Sequence, residues 1–330
     1  MTAPIGVLGA GAWGTALAQM LASDGRAVTL WVIEPHLVEE INRERRNSLY
    51  LPSAELAPTI RATNDLAAVS DCEIVLAVTP AQYLGGVLSS LPSAPRDLVL
   101  CAKGIEAGSG RLMHEVAAAA CPASAIAVLS GPTFAFEVAA GLPTAVTLAC
   151  GAGEGQWQRL SGAIARPHFR PYYSDDLTGA EVGGSVKNVL AIACGVVDGL
   201  GLGQNARAAL IARGYAEMLR FGEALGARAE TLSGLCGLGD LVLTCSSDSS
   251  RNFSLGWALG QGEDSRGLLN DRRTVAEGAF TAPVLREAAA RHGVSMPIVD
   301  AVCHLLEGAP AREVALALLA RPLTAESALA

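Results

Sequence analysis

The sequence predicts an α/β protein in two parts: a doubly wound parallel sheet over residues 1–180 and an all-helical domain over residues 181–330. Three observations carry that expectation. Short apolar runs of strand length alternate with helical patterns through the first half, the signature of parallel β-α-β units. The first run, Ile5 to Leu8, leads directly into glycines at positions 9, 11 and 14. From about Asp176 onward helical patterns dominate, and no Gly/Ser linker marks the change, which is placed near residues 175–183.

The glycine stretch comes first in the chain. Its G-x-G-x-x-G spacing opens an Ala/Leu-rich helical pattern, Thr15 to Ala22. Each glycine has a task in a strand–turn–helix that holds a dinucleotide. Gly9 permits the sharp turn, Gly11 lets backbone approach a pyrophosphate, and Gly14 lets the helix pack close to the strand. The pyrophosphate then meets free N–H groups and the positive end of the helix dipole. In a chain with 36 glycines the spacing also fits an ordinary turn. The context separates the two readings: a second strand, Ala27 to Val32, ends beside Glu34, twenty residues after Gly14. An acid there accepts a hydrogen bond from the ribose 2′-hydroxyl of NAD, so the first domain is expected to be Rossmann-like.

Pro35 to Arg46 reads as a helix with a polar face, Asn47 to Pro58 as a loop, and Ile60 to Thr63 as a short strand. Asn64 or Asp65 can cap the brief helix before Ser70. Glu73–Thr79 and Asp97–Lys103 are apolar enough for buried parallel strands. Helical stretches follow each, to about Ser90 and over Ser109–Ala120. Ala125–Ser130 is a further strand ending at Gly131-Pro132-Thr133, and Ala145–Cys150 and Phe169–Tyr173 flank a helical Gly155–Ala165. Ligands bind at the carboxyl ends of such strands. Gly9 to Trp13, Glu34, Thr79, Lys103 and Gly131 all fall at that edge. The later helices are Glu181–Val197, Arg207–Leu225, Phe253–Leu259, Ala282–Arg291 and Pro297–Leu306. Gly199 to Gly203 follows a helix, so it is not a second fingerprint. Gly234 to Asp240 reads as a loop that presents Asp240.

Composition narrows the function classes. A net charge of −8 and a pI near 5.2 exclude nucleic acid as the main partner but leave room for a local cationic pocket. The N-terminus lacks a basic region ahead of its glycines, so no signal peptide is expected. No stretch is expected to enter a membrane; the longest apolar candidate, Val116–Leu129, is short and contains Pro122. The 8 cysteines show no C-x-x-C spacing, and neither they nor the 5 histidines suggest a metal site. Buried thiols in a reducing cytoplasm are the expectation.

Two lysines stand out, because Lys103 and Lys187 are the only ones among 24 basic residues. Arginine stays protonated, whereas lysine can exchange protons. Lys187 lies among Val186, Val189, Leu190 and Ile192, so its helix should be buried. A lysine there is costly unless paired or functional, although its stem could also carry the charge to the surface. Asn188 could supply a neutral hydrogen bond nearby. Arg251-Asn252 follows the polar run Ser246–Ser250 and places a cationic fork beside hydroxyls and amides. That group suits a phosphate; a solvated turn would look the same.

The motifs together resemble one family. GAGAWGTALA (9–18), AKG (102–104), SGPTFAFEV (130–138), GGSVKNVLAIACGVVDGLGLGQNARAALI (183–211), GLGDLVLTC (237–245), SSRNFSLG (249–256) and VAEG (275–278) match, in order, the bacterial-type NAD(P)-dependent glycerol-3-phosphate dehydrogenases. The resemblance implies that Lys187 is the proton acceptor and donor. It implies substrate contacts at Lys103, Gly131, Thr133, Lys187, Asp240, Ser250, Arg251 and Asn252. Ala12, Trp13, Lys103, Ala135, Arg251, Val275 and Glu277 match positions near the cofactor, alongside Gly9, Gly11, Gly14 and Glu34. It further implies a cytoplasmic enzyme, often a homodimer, that supplies glycerol 3-phosphate for phospholipids. Two departures stand out. The family often carries serine where this chain has Ala12 and Thr133. Many members carry a basic residue or histidine near position 33, where this chain has Ile33 and then Glu34. The cofactor is therefore NAD or NADP, with a preference for NAD.

Other readings remain at this level. A different hydroxyacid dehydrogenase of the same architecture would lack use for a phosphate-suited Arg251-Asn252. A DNA-binding NAD sensor would need a basic recognition helix. A structural protein with a vestigial nucleotide site would not need both lysines.

Overall fold

The computed structural model describes residues 4–270 and 276–322. The chain forms two compact units, one of residues 1–103 and 111–177, the other of residues 104–110 and 178–330. The segment 104–110 thus groups with the second unit, which the expected 1–180 division does not anticipate. Gly104, Gly108 and Gly110 all have positive φ, and the chain there turns rather than beginning the helix expected at Ser109.

In the first unit the strands are β1 (Ile5–Leu8), β2 (Val28–Trp31), β3 (Ile60–Thr63), β4 (Ile74–Ala77), β5 (Asp97–Leu100), β6 (Ala125–Ser130), β7 (Thr144–Cys150) and β8 (Phe169–Ser174). Between them lie α1 (Ala12–Ala22), α2 (Pro35–Glu44), α3 (Ala67–Ser70), α4 (Ala81–Ser89), α5 (Met113–Ala120), α6 (Ala135–Ala139) and α7 (Gly153–Ile164). The strands make one sheet in the order β3-β2-β1-β4-β5-β6-β7-β8. The order reverses direction between β1 and β4, the switch point where a doubly wound sheet holds its ligand. The β1 run is buried at every position, as a two-sided parallel strand must be. Leu17, Met20 and Leu21 of α1 pack with Val7, Leu30 and Leu76 of the strands in one apolar core.

Two strands, β7 and β8, depart from the expected all-parallel sheet. β7 runs antiparallel to β6, while β8 is again parallel to β7. The connections explain it. Between β6 and β7 the one helix, α6, has 5 residues, about 7.5 Å at 1.5 Å per residue. It cannot carry the chain back along a strand roughly 20 Å long, so β7 starts at the edge where β6 ends. α7 has 12 residues and spans about 18 Å, enough for a parallel crossover. The N-cap of α3 is Leu66, neither Asn64 nor Asp65 as expected, although the Asp65 carboxylate one residue earlier accepts from the Ala67 N–H at 2.9 Å.

The second unit contains α8 (Leu177–Gly199), α9 (Gly203–Ala224), α10 (Ala229–Leu232), a π-helical turn Leu235–Gly239, α11 (Asp240–Cys245), α12 (Arg251–Gly260), α13 (Ser265–Asn270), α14 (Glu277–Arg291), α15 (Pro297–Leu306) and α16 (Ala311–Leu319). α8 is buried at nearly every position from Gly179 to Val196. By length and composition alone this 23-residue helix could cross a membrane, contrary to the expectation that no stretch qualifies. Here it is the core helix of the second unit, with the span window 94% buried. Two further expectations change. Gly234–Asp240 is no loop but a π turn continuous with α11, packed so that a Cβ on Gly183 of α8 would meet the Cys236 carbonyl at 2.3 Å. α14 begins at Glu277 rather than Ala282, with Pro283 inside it, because the Asn252 Oδ1 accepts from the Gly278 N–H at 2.9 Å and anchors the start.

Candidate functional site

In the first unit the glycine turn has the geometry its sequence predicts. Gly9 has φ of 111°, a conformation other residues rarely adopt. A Cβ on Gly14 would lie 1.8 Å from the Gly9 carbonyl oxygen, so α1 packs against the turn as closely as backbone allows. The helix begins at Ala12, with Gly11 as its N-cap and Trp13 in its first turn. Its opening N–H groups therefore lie at the carboxyl edge of the sheet. Three buried polar atoms at that edge, Trp13 Nε1, Thr79 Oγ1 and Ser130 Oγ, have no hydrogen-bond partner among the described residues. Buried polar groups without partners are rare, and a ligand with polar edges would satisfy them. The turn, the helix start and these atoms fit a dinucleotide.

Glu34 stands at the N-cap position of α2 without a side-chain capping bond, and its carboxylate accepts from the Tyr50 hydroxyl at 2.7 Å. Burial, then this hydrogen bond and the nearby carboxylate charge, push the Tyr50 hydroxyl up to about 12, so it stays a donor to Glu34. Ile33 beside it is 68% exposed. Lys103 ends the first unit, and its ammonium draws down a Cys101 thiol that burial otherwise pushes far up. Gly131 follows β6 against the backbone of Val146. Thr133 donates to the Gly131 carbonyl at 3.4 Å, and Ala135 opens α6.

In the second unit Lys187 sits in the middle of α8 and is 6% exposed, which removes the alternative of a charge carried to the surface. Its Nζ donates to Asp240 Oδ1 at 2.5 Å and to Thr244 Oγ1 at 2.9 Å. Asp240 is 0% exposed, and its carboxylate holds the Lys187 ammonium. Asp240 and Thr244 stand one turn apart on α11, and the Thr244 hydroxyl also reaches Asp240 at 3.3 Å. The i,i+4 spacing in the D-L-V-L-T stretch was the sequence signal for Thr244, which sequence reasoning missed. Cys245 is hydrogen-bonded to Cys194 and buried, and both effects push it well above the ordinary thiol range. The Cys245 thiol therefore stays protonated near the ammonium.

Ser250 caps α12, its hydroxyl accepting from the Phe253 N–H at 3.3 Å. Arg251 is the first residue of that ten-residue helix and is exposed. A helix start and a guanidinium together make an anion site. The Asn252 side chain is committed elsewhere: Nδ2 donates to Asn188 Oδ1 at 3.1 Å while Oδ1 holds Gly278. Asn188 thus serves Asn252. Glu277 opens α14, and Val275 lies outside the described residues. All eight cysteines are buried free thiols. Sequence reasoning also missed Asn47 and Tyr50, both within a segment that carried no motif.

Residues 4–155 match the family profile described as NAD-dependent glycerol-3-phosphate dehydrogenase N-terminus, and residues 176–316 match its C-terminus. The chain is 70% identical to the glycerol-3-phosphate dehydrogenase [NAD(P)+] of Erythrobacter litoralis, over 99% of this chain and 98% of the relative. It is 69% identical to that of Novosphingobium aromaticivorans, over the full length of both. The crystal structure of glycerol-3-phosphate dehydrogenase from Coxiella burnetii superposes with a TM-score of 0.91 at 42% identity, covering 97% of this chain and 99% of that one. With both halves of the profile matched and the relatives covered end to end, the chain belongs to the NAD-dependent glycerol-3-phosphate dehydrogenase family.

Proposed function

We propose that Lys187 is the proton donor and acceptor in the NAD(P)-dependent interconversion of dihydroxyacetone phosphate and sn-glycerol 3-phosphate, the reaction of the family. One observation carries the assignment: a buried ammonium held by Asp240 at 2.5 Å and Thr244 at 2.9 Å in the middle of a core helix. Desolvating an ammonium is costly, and a paired one is retained where a proton must be placed. The nicotinamide, when bound, supplies the two-electron step at the carbonyl carbon. Lys187 holds a proton for the oxygen that develops charge, and removes it in the reverse direction. Asp240 and Thr244 fix the ammonium so that this proton has one position. The Ser250-capped start of α12, with Arg251, binds the phosphate dianion. For Asn252, the backbone N–H at the helix start is the group available to the phosphate. Lys103, Gly131 and Thr133 complete the substrate contacts.

Gly9, Gly11, Ala12, Trp13 and Gly14 bind the pyrophosphate end of the cofactor, with Ala135, Val275 and Glu277 as further contacts. Glu34, oriented by Tyr50, supports a preference for NADH: its carboxylate suits free ribose hydroxyls and repels a 2′-phosphate. The family resemblance supports a cytoplasmic homodimer that supplies glycerol 3-phosphate to phospholipids. The test is spectrophotometric. NADH and NADPH oxidation are followed with dihydroxyacetone phosphate and a panel of 2-keto acids, in the unmodified chain and in Lys187→Arg. Turnover confined to the phosphorylated ketone, lowered about 10²–10⁴-fold in Lys187→Arg with NADH affinity unchanged, is expected. Near-normal turnover in a folded Lys187→Arg protein removes the lysine from the mechanism.

A further inference from the structure

Asn47 is an asparagine with 0% exposure in a segment that otherwise runs along the surface. Its Nδ2 donates to the Ala10 carbonyl and to Thr15 Oγ1, each at 2.8 Å. Its Oδ1 accepts from the Tyr50 N–H at 3.2 Å. The partners fix the amide orientation, because a carbonyl can only accept and a backbone N–H can only donate. The Thr15 hydroxyl gives its own proton to the same Ala10 carbonyl, at 3.0 Å. Ala10 is the residue between the first two glycines of the fingerprint, and its carbonyl receives two buried donors. Asn47 lies 37 residues further along the chain from it.

The consequence follows from the peptide plane. The Ala10 carbonyl and the Gly11 N–H belong to one planar trans unit, in which they point in opposite directions. Holding the carbonyl inward turns the Gly11 N–H outward. Space beside Gly11 is open as well, since a Cβ built on it would meet nothing within 4 Å. The peptide would otherwise be free to rotate, since Gly9 and Gly11 flank Ala10 and glycine restricts φ and ψ little.

We propose that Asn47 is a positioning residue for the dinucleotide: by fixing the Ala10 carbonyl inward it aims the Gly11 N–H at the pyrophosphate. This rests on the reading that the glycine turn holds the pyrophosphate. Asn47 itself touches no ligand and acts through the turn.

The test compares a ligand that has a pyrophosphate with one that lacks it. Binding of ADP-ribose and of adenosine to the full chain is measured by calorimetry, in the unmodified protein and in Asn47→Leu. The leucine keeps the volume, removes the donors and adds no charge. ADP-ribose affinity is expected to fall about tenfold while adenosine affinity stays within about twofold, in line with losing a hydrogen bond to an anion. In turnover, the KM for NADH rises by a similar factor, while kcat at saturating NADH and the KM for dihydroxyacetone phosphate hold. Equal losses for both ligands, or a lower melting temperature with unchanged ADP-ribose affinity, overturn the proposal and leave Asn47 a structural residue. If N47L does not fold, Thr15→Val removes the second donor to the same carbonyl and carries the same comparison, with a loss of about threefold expected and equal affinities again decisive. If the unmodified protein binds adenosine as tightly as ADP-ribose, the underlying reading of the turn fails, and the proposal with it.

Discussion

Replacing Asp240 by asparagine tests the buried pair with the least change of shape. The Lys187 Nζ lies 2.5 Å from Asp240 Oδ1, and the two residues are 6% and 0% exposed. Asparagine keeps an acceptor at the same place but removes the charge. Breaking a buried pair from one side costs roughly 3–5 kcal/mol, because the remaining ion is left uncompensated. The lysine can relieve part of that by losing its proton, so about 3 kcal/mol is expected for Asp240→Asn at neutral pH. Lys187→Met strands the carboxylate in the same way and should cost a similar amount. The double variant buries no unpaired charge. Its loss should be smaller than the sum of the single losses by about 3 kcal/mol, far beyond the roughly 0.5 kcal/mol expected of independent sites. Urea unfolding of the four proteins at one pH measures the cycle. The kinetic arm uses Asp240→Asn alone, where kcat should fall by at least about 10²-fold while the KM for NADH holds. Additive stabilities would show that the charges do not support each other, and unchanged kcat would show that the carboxylate does not set the proton position.

Arg251→Ala should raise the KM for dihydroxyacetone phosphate by about 10-fold or more yet leave unphosphorylated dihydroxyacetone nearly unaffected, because only the phosphate loses a charged donor; equal effects exclude Arg251 from phosphate binding. Tyr50→Phe frees the Glu34 carboxylate that the hydroxyl holds at 2.7 Å, and should narrow the NADH-over-NADPH ratio of kcat/KM about two- to tenfold. An unchanged ratio would mean that Glu34 does not face the ribose. Glu217 is 2% exposed and accepts from the Ile298 and Val299 N–H groups at the start of α15. Burial nevertheless pushes its carboxyl from 4.5 up to about 7, with Asp300 adding to that and the two N–H groups and Arg220 opposing it. A carboxyl raised in the folded state binds its proton more tightly there than in the unfolded chain. Its contribution is therefore full below pH 4.5 and is lost as pH rises through about 7. The difference corresponds to roughly 3 kcal/mol. Glu217→Gln should match the unmodified protein near pH 4 and exceed it by up to that amount at pH 8, read from urea midpoints; parallel curves across that range refute the shift.

Much of the first unit was legible because its signals are local. Apolar runs of strand length predict β1 through β6 to within a few residues, and β1, β3 and β6 to the residue. Glycines at 9, 11 and 14 act through their own dihedrals and through backbone contact with the adjacent helix, so their spacing alone carried meaning. The antiparallel β7 was not legible, since strand direction depends on whether a connection can cross the sheet. The π turn at Leu235–Gly239 was read as a loop for a related reason: its glycines pack backbone on backbone, which composition cannot distinguish from flexibility.

The sequence by itself determined the alternation that makes a doubly wound sheet, the dinucleotide turn and the rarity of lysine that singled out Lys187. These are properties of periodicity, composition and covalent geometry, and they survive without knowledge of any partner. Only the tertiary structure decided what each polar side chain touches. Asp240 meets Lys187 across 53 residues, Asn47 meets Ala10 across 37, and Glu217 meets Ile298 across 81. A hydrogen bond needs its atoms within a few tenths of an ångström of one separation. Contacts that exacting depend on how whole elements pack, and neighbouring residues in the chain carry no record of them.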